Sequence, residues 1–134
     1  LQSHRDIADC LKAKWIDTLQ LTYNCLSPEA EEGIETAYKQ GIGIIAREPL
    51  ANGFLSGKYN ACSTFPAGDF RSLWSTALKN DLEKRVKDIM DSLPAGFSLS
   101  RYAIDWVLEN SSVSTVIVGC KTPEQVRENF CRNK

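Results

Sequence analysis

The pattern of hydrophobic and polar positions predicts three strands in this chain of 134 residues. Residues 17–23 alternate strictly, with Leu19, Leu21 and Tyr23 on one side and polar side chains on the other, which is typical of a strand with one apolar face. Residues 42–46 form a short apolar run that predicts a strand buried on both faces. Residues 113–118 predict the third strand.

Helical spacing and capping residues predict the first two helices. Residues 5–14 form one helix, with Ile7, Cys10 and Leu11 on a single face. The second helix is expected to start at Ser27-Pro28, because serine is a favoured N-cap and proline a favoured first residue. Gly41 should end it. Its buried stripe is predicted to be Ala30, Ile34, Ala37 and Tyr38.

The second half of the chain predicts one long connection and three more helices. Residues 47–78 are irregular and rich in Gly, Pro, Asn and Ser, and a connection of this length is usually functional. A charged helix is expected at 79–93, followed by a helix capped by Ser98. The apolar face of that helix is predicted to be Tyr102, Ala103, Trp106 and Val107. A final helix begins after Thr122, which forms a capping box with Gln125.

Strands separated by helices indicate parallel, right-handed connections. Both a doubly wound sheet and part of a (β/α)8 barrel accommodate this order. The first strand favours the barrel, because Thr18, Gln20 and Thr22 make one of its faces polar, as in a barrel interior near its catalytic mouth. Since three strands cannot close a barrel, residues 1–134 are predicted to be a single partial domain.

Composition and charge narrow the function classes. The chain is 43% hydrophobic with a net charge of -1, which argues against a nucleic-acid or membrane-surface partner. No run is long enough to span a bilayer, and no secretory signal opens the chain. Five widely spaced cysteines without a Cys-x-x-Cys pair predict reduced thiols in a cytoplasmic protein. His4 is the only histidine, which disfavours a Ser-His-Asp triad or a histidine metal site.

Several segments resemble one family. They are QLTYN at 20–24, GIGIIA at 41–46, PLANGFLSGKY at 49–59, AIDWVL at 103–108, VIVG at 116–119 and TPEQ at 122–125. In this order and spacing they are similar to the C-terminal part of the aldo-keto reductases. These enzymes are (β/α)8 barrels that move hydride between NADP(H) and a carbonyl or alcohol. The resemblance implies that the three predicted strands are the sixth, seventh and eighth strands of such a barrel.

The resemblance also implies a role for each matching position. Gln20 would hydrogen-bond the nicotinamide carboxamide, because an amide both donates and accepts. Pro49, Leu50, Ala51 and Asn52 would lie over the pyrophosphate, with Lys58 supplying positive charge and Arg71 contacting the adenosine end. Gly119, Lys121, Gln125, Glu128 and Asn129 would form the site for the 2′-phosphate and adenine. Lys121 beside a helix N-terminus predicts NADP(H) rather than NAD(H).

Each of these segments also has a plainer interpretation. Gln20 could be a solvated strand residue, the loop ending in Lys58 an ordinary glycine-rich turn, and Gln125 part of a simple helix cap. Two positions depart from the family pattern. Arg47 stands where many members place a ring that stacks on nicotinamide; as a cofactor-binding residue its planar guanidinium would stack in place of that ring, or else it points elsewhere. Glu48 stands where serine is frequent.

Two functional hypotheses therefore stand together. The first is a portion of an NADP-dependent reductase or dehydrogenase of a small carbonyl or alcohol. The family's catalytic Asp, Tyr, Lys and His would then lie in the missing N-terminal half of the barrel. The second is a non-catalytic regulatory or binding module with the same fold. An upstream coding sequence with Asp, Tyr and Lys at successive strand ends would favour the first.

Overall fold

The computed structural model describes residues 6–130, and these residues form five α-helices, three strands and two 3₁₀ segments. In chain order the helices and strands are α1 (Ile7–Cys10), β1 (Thr18–Thr22), α2 (Glu31–Lys39), β2 (Gly43–Arg47), α3 (Thr76–Ser92), α4 (Leu99–Glu109), β3 (Thr115–Ile117) and α5 (Pro123–Phe130). The 3₁₀ segments, Ala51–Ser56 and Phe70–Leu73, lie in the long connection between β2 and α3.

The three strands form one parallel sheet in the order β1-β2-β3. Thr22 is paired with Arg47, and Arg47 with Ile117, so the carboxyl ends of all three strands lie along one edge. Parallel neighbours require crossover connections, and helices supply both of them. The sheet is not closed, in agreement with the prediction of part of a (β/α)8 barrel.

In the part of the chain that the structure describes, the helices cover one face of this sheet. Leu19 and Leu21 of β1 and Ile44 and Ala46 of β2 are buried, and they pack in one cluster with residues of the helices. The helix residues of this cluster include Ile7, Ile34, Ala37 and Val107. A doubly wound sheet would be covered on both faces, whereas a barrel strand turns one face to the helices. The covered face therefore favours the barrel architecture.

Tyr23 joins the end of β1 to α4. Its ring centroid lies 5.0 Å from that of Trp106, and its hydroxyl accepts a hydrogen bond of 3.1 Å from Asn110 Nδ2. Burial raises the pKa of Tyr23, so the phenol keeps its proton at neutral pH. Its place in the core gives this tyrosine a structural role.

A second hydrophobic cluster lies under the connection that follows β2. Phe54 and Leu55 of the first 3₁₀ segment are fully buried against Val86 of α3 and Ala103 of α4. This packing fixes the connection beside the carboxyl edge of the sheet.

The other sheet face is largely open in the described part of the chain. It carries alternate residues of each strand: Thr18, Gln20, Thr22, Gly43, Ile45, Arg47, Thr115 and Ile117. The prediction that residues 42–46 are buried on both faces is therefore wrong, because Ile45 has no covering layer and is only half-buried. Gln20 points to this open face, as the alternation predicted.

The predicted start of the second helix is also wrong. The helix begins at Glu31, because Asn24 and Ser27 pair in a tight turn instead. In that turn the Ser27 amide donates to the Asn24 carbonyl at 2.8 Å, and Asn24 Oδ1 accepts from the Leu26 amide at 3.0 Å. Ser27 thus shapes the strand-to-helix connection and is not an N-cap.

Within α2, one predicted core residue faces solvent. Ala30, Ile34 and Ala37 are buried as expected, but Tyr38 is 53% exposed. Successive helix residues are rotated by about 100°, so a helix that turns Ala37 to the sheet carries Tyr38 away from it. Gly41 ends the helix with a φ of +78°, as predicted.

The remaining elements were predicted with shifted ends. The helix expected at 5–14 is Ile7–Cys10, the one expected at 79–93 is Thr76–Ser92, and the strand expected at 113–118 is Thr115–Ile117. Ser98 and Thr122 are confirmed as caps, since their hydroxyls accept from Arg101 N and Gln125 N at 3.3 Å. His4 and Cys131 lie outside the described residues. Within residues 6–130, no helix is long and apolar enough to cross a membrane.

We expect the purified 134-residue chain to self-associate through the open sheet face, because apolar side chains beside strand edges promote association. Ile117→Lys should lower the average mass measured by sedimentation velocity. Leu108→Lys on α4 is a matched control, because Leu108 is 47% exposed and Ile117 50% exposed. A monodisperse monomer that unfolds cooperatively would contradict this expectation.

Candidate cofactor-binding site

A cavity of about 380 Å³ lies beside the carboxyl edge of the sheet, between the connection after β2 and the start of α5. Ten of the thirteen predicted cofactor residues line it: Pro49, Leu50, Asn52, Lys58, Arg71, Gly119, Lys121, Gln125, Glu128 and Asn129. These residues are up to 80 positions apart in the chain (49 to 129), and the parallel sheet brings them together. The volume falls in the range of small-ligand sites.

Three predicted residues do not line this cavity. Gln20 lies on the open sheet face, opposite Ile45 in the strand register. Arg47 ends β2 on the same face, and its Nη1 donates to Glu48 Oε1 at 2.7 Å. Ala51 is buried in the hydrophobic cluster beneath the loop, where it supports the neighbouring Asn52.

Several lining residues were not predicted from the sequence, among them Ser56, Tyr59, Phe70, Ser100 and Ile117. Ile117 could have been found from strand alternation, which places it on the open face two residues before Gly119. Ser100 lies in the first turn of α4, where nothing in the local sequence indicates a cavity.

The loop that follows β2 has an unusual backbone. Glu48, Ala51 and Asn52 have φ values of +59°, +45° and +55°, and Gly53 has +98°. Side chains rarely adopt this left-handed region, so the surrounding contacts must hold the loop there. Asn24 Nδ2 donates to the Glu48 carbonyl at 2.9 Å, and the Gly53 amide donates to the Leu50 carbonyl at 2.8 Å.

Gly53 is required by space as well as by conformation. A Cβ at this position would lie 2.6 Å from Cε2 of Tyr59, closer than real Cβ contacts come. The missing side chain lets the loop lie directly on the Tyr59 ring.

Arg71 connects the second 3₁₀ segment to this loop. Its Nη1 donates to the Asn52 carbonyl at 2.9 Å, while Nε and Nη2 form a two-pronged pair with the Asp69 carboxylate. The guanidinium lies over the rings of Tyr59 and Phe65, at 4.9 and 4.3 Å from their centroids. Arg71 lines the cavity, its Nη1 holds the loop, and its other two donors are held by Asp69.

The same arrangement shifts the titration of both partners. The hydrogen bonds from the Arg71 side chain and amide lower the pKa of Asp69 from 3.8 to about 2. Hydrogen bonding to Asp69 raises the pKa of Arg71. The pair therefore stays ionised throughout the physiological pH range.

The start of α5 closes the opposite side of the cavity. Gln125 Oε1 accepts from the Lys121 amide at 2.6 Å, and Thr122 Oγ1 accepts from the Gln125 amide. Thr122 therefore caps the helix, but the predicted capping box is only half formed, because the Gln125 side chain accepts from the amide of Lys121 and not from that of Thr122. Asn129 is buried, and its Nδ2 contacts Cys120 Sγ at 3.3 Å. Gln125 and Asn129 share one face, as their spacing predicted.

The cavity is rich in positively charged side chains. Lys58, Arg71 and Lys121 line it together with two carboxylates, Glu48 and Glu128. Amide side chains and the half-exposed rings of Tyr59 and Phe70 complete its wall. This donor set suits a phosphorylated ligand with a planar ring system. Among the described residues, no group of three His, Cys, Asp or Glu side chains is placed to hold a metal ion.

Two relatives align with most of this chain. A probable voltage-gated potassium channel subunit beta from Arabidopsis thaliana is 34% identical over 114 residues, which are 75% of this chain and 34% of that protein. The L-glyceraldehyde 3-phosphate reductase of Escherichia coli O157:H7 is 28% identical over 121 residues, or 82% of this chain and 34% of the enzyme. The chain thus spans about a third of the length of these relatives.

Solved structures agree with the fold. The glycerol dehydrogenase AKR11B4 from Gluconobacter oxydans superposes with a TM-score of 0.69 and 29% identity, over 87% of this chain and 38% of that one. The holo form of the aldo-keto reductase AKR11C1 from Bacillus halodurans has a TM-score of 0.66 over 96% of this chain and 40% of its own. At 24% identity, the second comparison supports the fold alone.

A model of the Aldo/keto reductase family matches residues 2–132, nearly the whole chain. This match agrees with the part-barrel architecture and with the convergence of the family-like residues on one cavity. The chain therefore belongs to the aldo/keto reductase family.

Proposed function

We propose that this chain is the cofactor-binding portion of an NADP(H)-dependent oxidoreductase that acts on a small carbonyl or alcohol. One observation carries the proposal: ten residues with family-like roles line a single cation-rich cavity at the carboxyl edge of the sheet. In barrels of this type, ligands bind at that edge. The proposed location of the protein is the cytoplasm.

The adenosine end of the cofactor is assigned to the start of α5. Lys121 supplies a point charge for the 2′-phosphate, and the helix start adds a favourable dipole. Because the Gln125 side chain engages the Lys121 amide, the Lys121 side chain carries most of this contact. Gln125, Glu128 and Asn129 offer polar groups to the adenine.

The pyrophosphate is assigned to the loop of residues 49–52 and to Lys58. Pro49 and Leu50 place the backbone against the cavity, and Arg71 fixes the Asn52 carbonyl from behind. A loop that is already ordered loses less entropy when a ligand binds.

The nicotinamide end is assigned to the open sheet face. Gln20 offers an amide to the carboxamide, and Arg47 stands at the edge, where its ion pair with Glu48 balances its charge. When bound, the cofactor supplies or accepts the hydride, and the protein supplies orientation.

The proton donor is proposed to come from the other strands of a complete barrel of this family. Tyr23 is buried, Tyr38 lies on the outer side of α2, and Tyr59 lies under Arg71. Tyr102 lies on α4. Within the described residues, no tyrosine stands on the open sheet face beside Gln20, where a general acid would act.

A second candidate is a non-catalytic regulatory or binding module. The similarity to a probable potassium channel subunit beta, at 34% identity, favours it. Both candidates share the cofactor site. The coding sequence upstream of Leu1 distinguishes them, because Asp, Tyr and Lys at successive strand ends would support the enzyme.

The proposed 2′-phosphate contact predicts that Lys121→Ala weakens NADPH binding by about 1–3 kcal/mol, the range for a hydrogen bond to a charged group. NADH binding should stay nearly unchanged, because NADH lacks that phosphate. Fluorescence titration of both cofactors measures the effect. Lys58→Ala is the matched control and should weaken both, since both carry the pyrophosphate. If Lys121→Ala lost equal affinity for both cofactors, other residues would have to determine the preference for NADPH.

Gly53→Ala should weaken the binding of both cofactors, because the new methyl group collides with Tyr59 and moves the loop. Gly68→Ala is the matched control: Gly68 has a similar φ of +95°, yet no atom lies within 4 Å of the position of its Cβ. Comparing the two variants by calorimetry separates the collision from the conformational strain that they share. Equal affinities in both would contradict a role for this loop in binding.

The Asp69–Arg71 pair predicts a defined pH dependence. The pKa of Asp69 is lowered from 3.8 to about 2, so its stabilisation is present above the ordinary carboxyl pKa and is lost as the pH falls through 2. Urea unfolding should show Asp69→Asn less stable than the wild type at neutral pH, by a margin that narrows only below about pH 4. A margin that changes between pH 5 and 7 would contradict this assignment.

A further inference from the structure

One carboxylate lies among the groups that the proposed function assigns to the cofactor. Glu48 Oε1 accepts from Arg47 Nη1 at 2.7 Å, and Glu48 Oε2 accepts from Asn52 Nδ2 at 3.2 Å. Glu48 and Asn52 both line the cation-rich cavity. The two carboxylate oxygens thus make the kind of contacts that a phosphate would make with the same donors.

The backbone directs Glu48 to this position. Its φ of +59° is in the left-handed region, and its carbonyl accepts from Asn24 Nδ2 at 2.9 Å and from the Ala51 amide at 3.0 Å. Asn24 is only 2% exposed, so the anchoring contact is protected from water. The turn brings the side chain of Glu48 to Asn52, four residues later.

The charge of Glu48 opposes an anionic ligand in this cavity. The Glu48 side chain is 31% exposed, so water screens its charge only in part, and a like charge beside it is repelled more strongly than in bulk water. Arg47 offsets part of this charge, but that pairing also occupies one Arg47 donor group. An arriving phosphate would therefore meet repulsion from Glu48 and an Asn52 amide that is already engaged.

We propose that Glu48 competes with the cofactor pyrophosphate for Asn52 and thereby limits cofactor affinity. This inference rests on the proposed function and names a residue that limits binding at the same site. Because the pyrophosphate is common to both cofactors, Glu48 lowers the affinity for NADPH and NADH alike. Lys121, in contrast, acts on NADPH alone.

The test is a titration of the 134-residue chain with NADPH and with NADH. Glu48→Gln removes the charge at nearly constant shape and should tighten the binding of both cofactors about tenfold. Glu29→Gln is the control, because Glu29 is exposed and lies outside the cavity lining. It should change either affinity by less than about twofold, as expected for a distant surface charge.

A double-mutant cycle with Asn52→Gly tests the contact itself. Glycine accepts the φ of +55° at this position, so the amide is removed without backbone strain. If Glu48 acts by engaging Asn52, the tightening caused by Glu48→Gln should be smaller in the Asn52→Gly background. Equal tightening in both backgrounds would overturn the competition for Asn52.

The outcomes separate this inference from the proposed function. If the wild type binds NADPH and Glu48→Gln binds it equally or more weakly, the inference is overturned; weaker binding would indicate that the carboxylate itself contacts the ligand. If no form of the chain binds either cofactor, the proposed function fails and the inference with it. Circular dichroism checks folding, and Glu48→Asn, which tolerates positive φ, replaces a Glu48→Gln variant that does not fold.

Discussion

The left-handed loop after β2 is the constraint on which the candidate site depends. Three non-glycine residues in it have positive φ, and the contacts around the loop must offset that cost. Asn24 holds it from the end of β1, and Arg71 holds it from the second 3₁₀ segment. Because both anchors are distant in sequence, the loop takes its shape only when the sheet and the long connection are folded.

The site contains one charged side chain that other residues hold in place and others that remain accessible to a ligand. Arg71 is fixed by Asp69 and by two aromatic rings, so it acts mainly as a structural support. Lys58 and Lys121 are exposed point charges that a phosphate can engage. Glu48 opposes them from the same cavity. The balance between these groups is the physical basis of the proposed cofactor affinity, separate from the proton transfer proposed for other strands.

Local chemistry predicted most of the elements but not their limits. The Ser98 and Thr122 caps were found because a cap involves residues only three apart. Ser27 shows the same chemistry in a different role, since Asn24 pairs with it before a helix can start. Tyr38 was wrongly predicted to be buried because helical spacing locates the apolar face of a helix only to within about one residue. Packing against β2 decides which residues lie on that face, and Tyr38 lies outside it.

The sequence by itself determined the parallel strand–helix order, the polar face of β1 and the resemblance that named the cofactor residues, because periodicity and motifs are local properties. Only the tertiary structure decided that ten of those residues share one cavity and that Gln20 and Arg47 lie apart from it. It also decided that Asp69 and Asn52 together hold Arg71. Contacts across 19 residues or more, such as Arg71 with Asn52, depend on how the sheet brings distant segments together, and no local pattern encodes that.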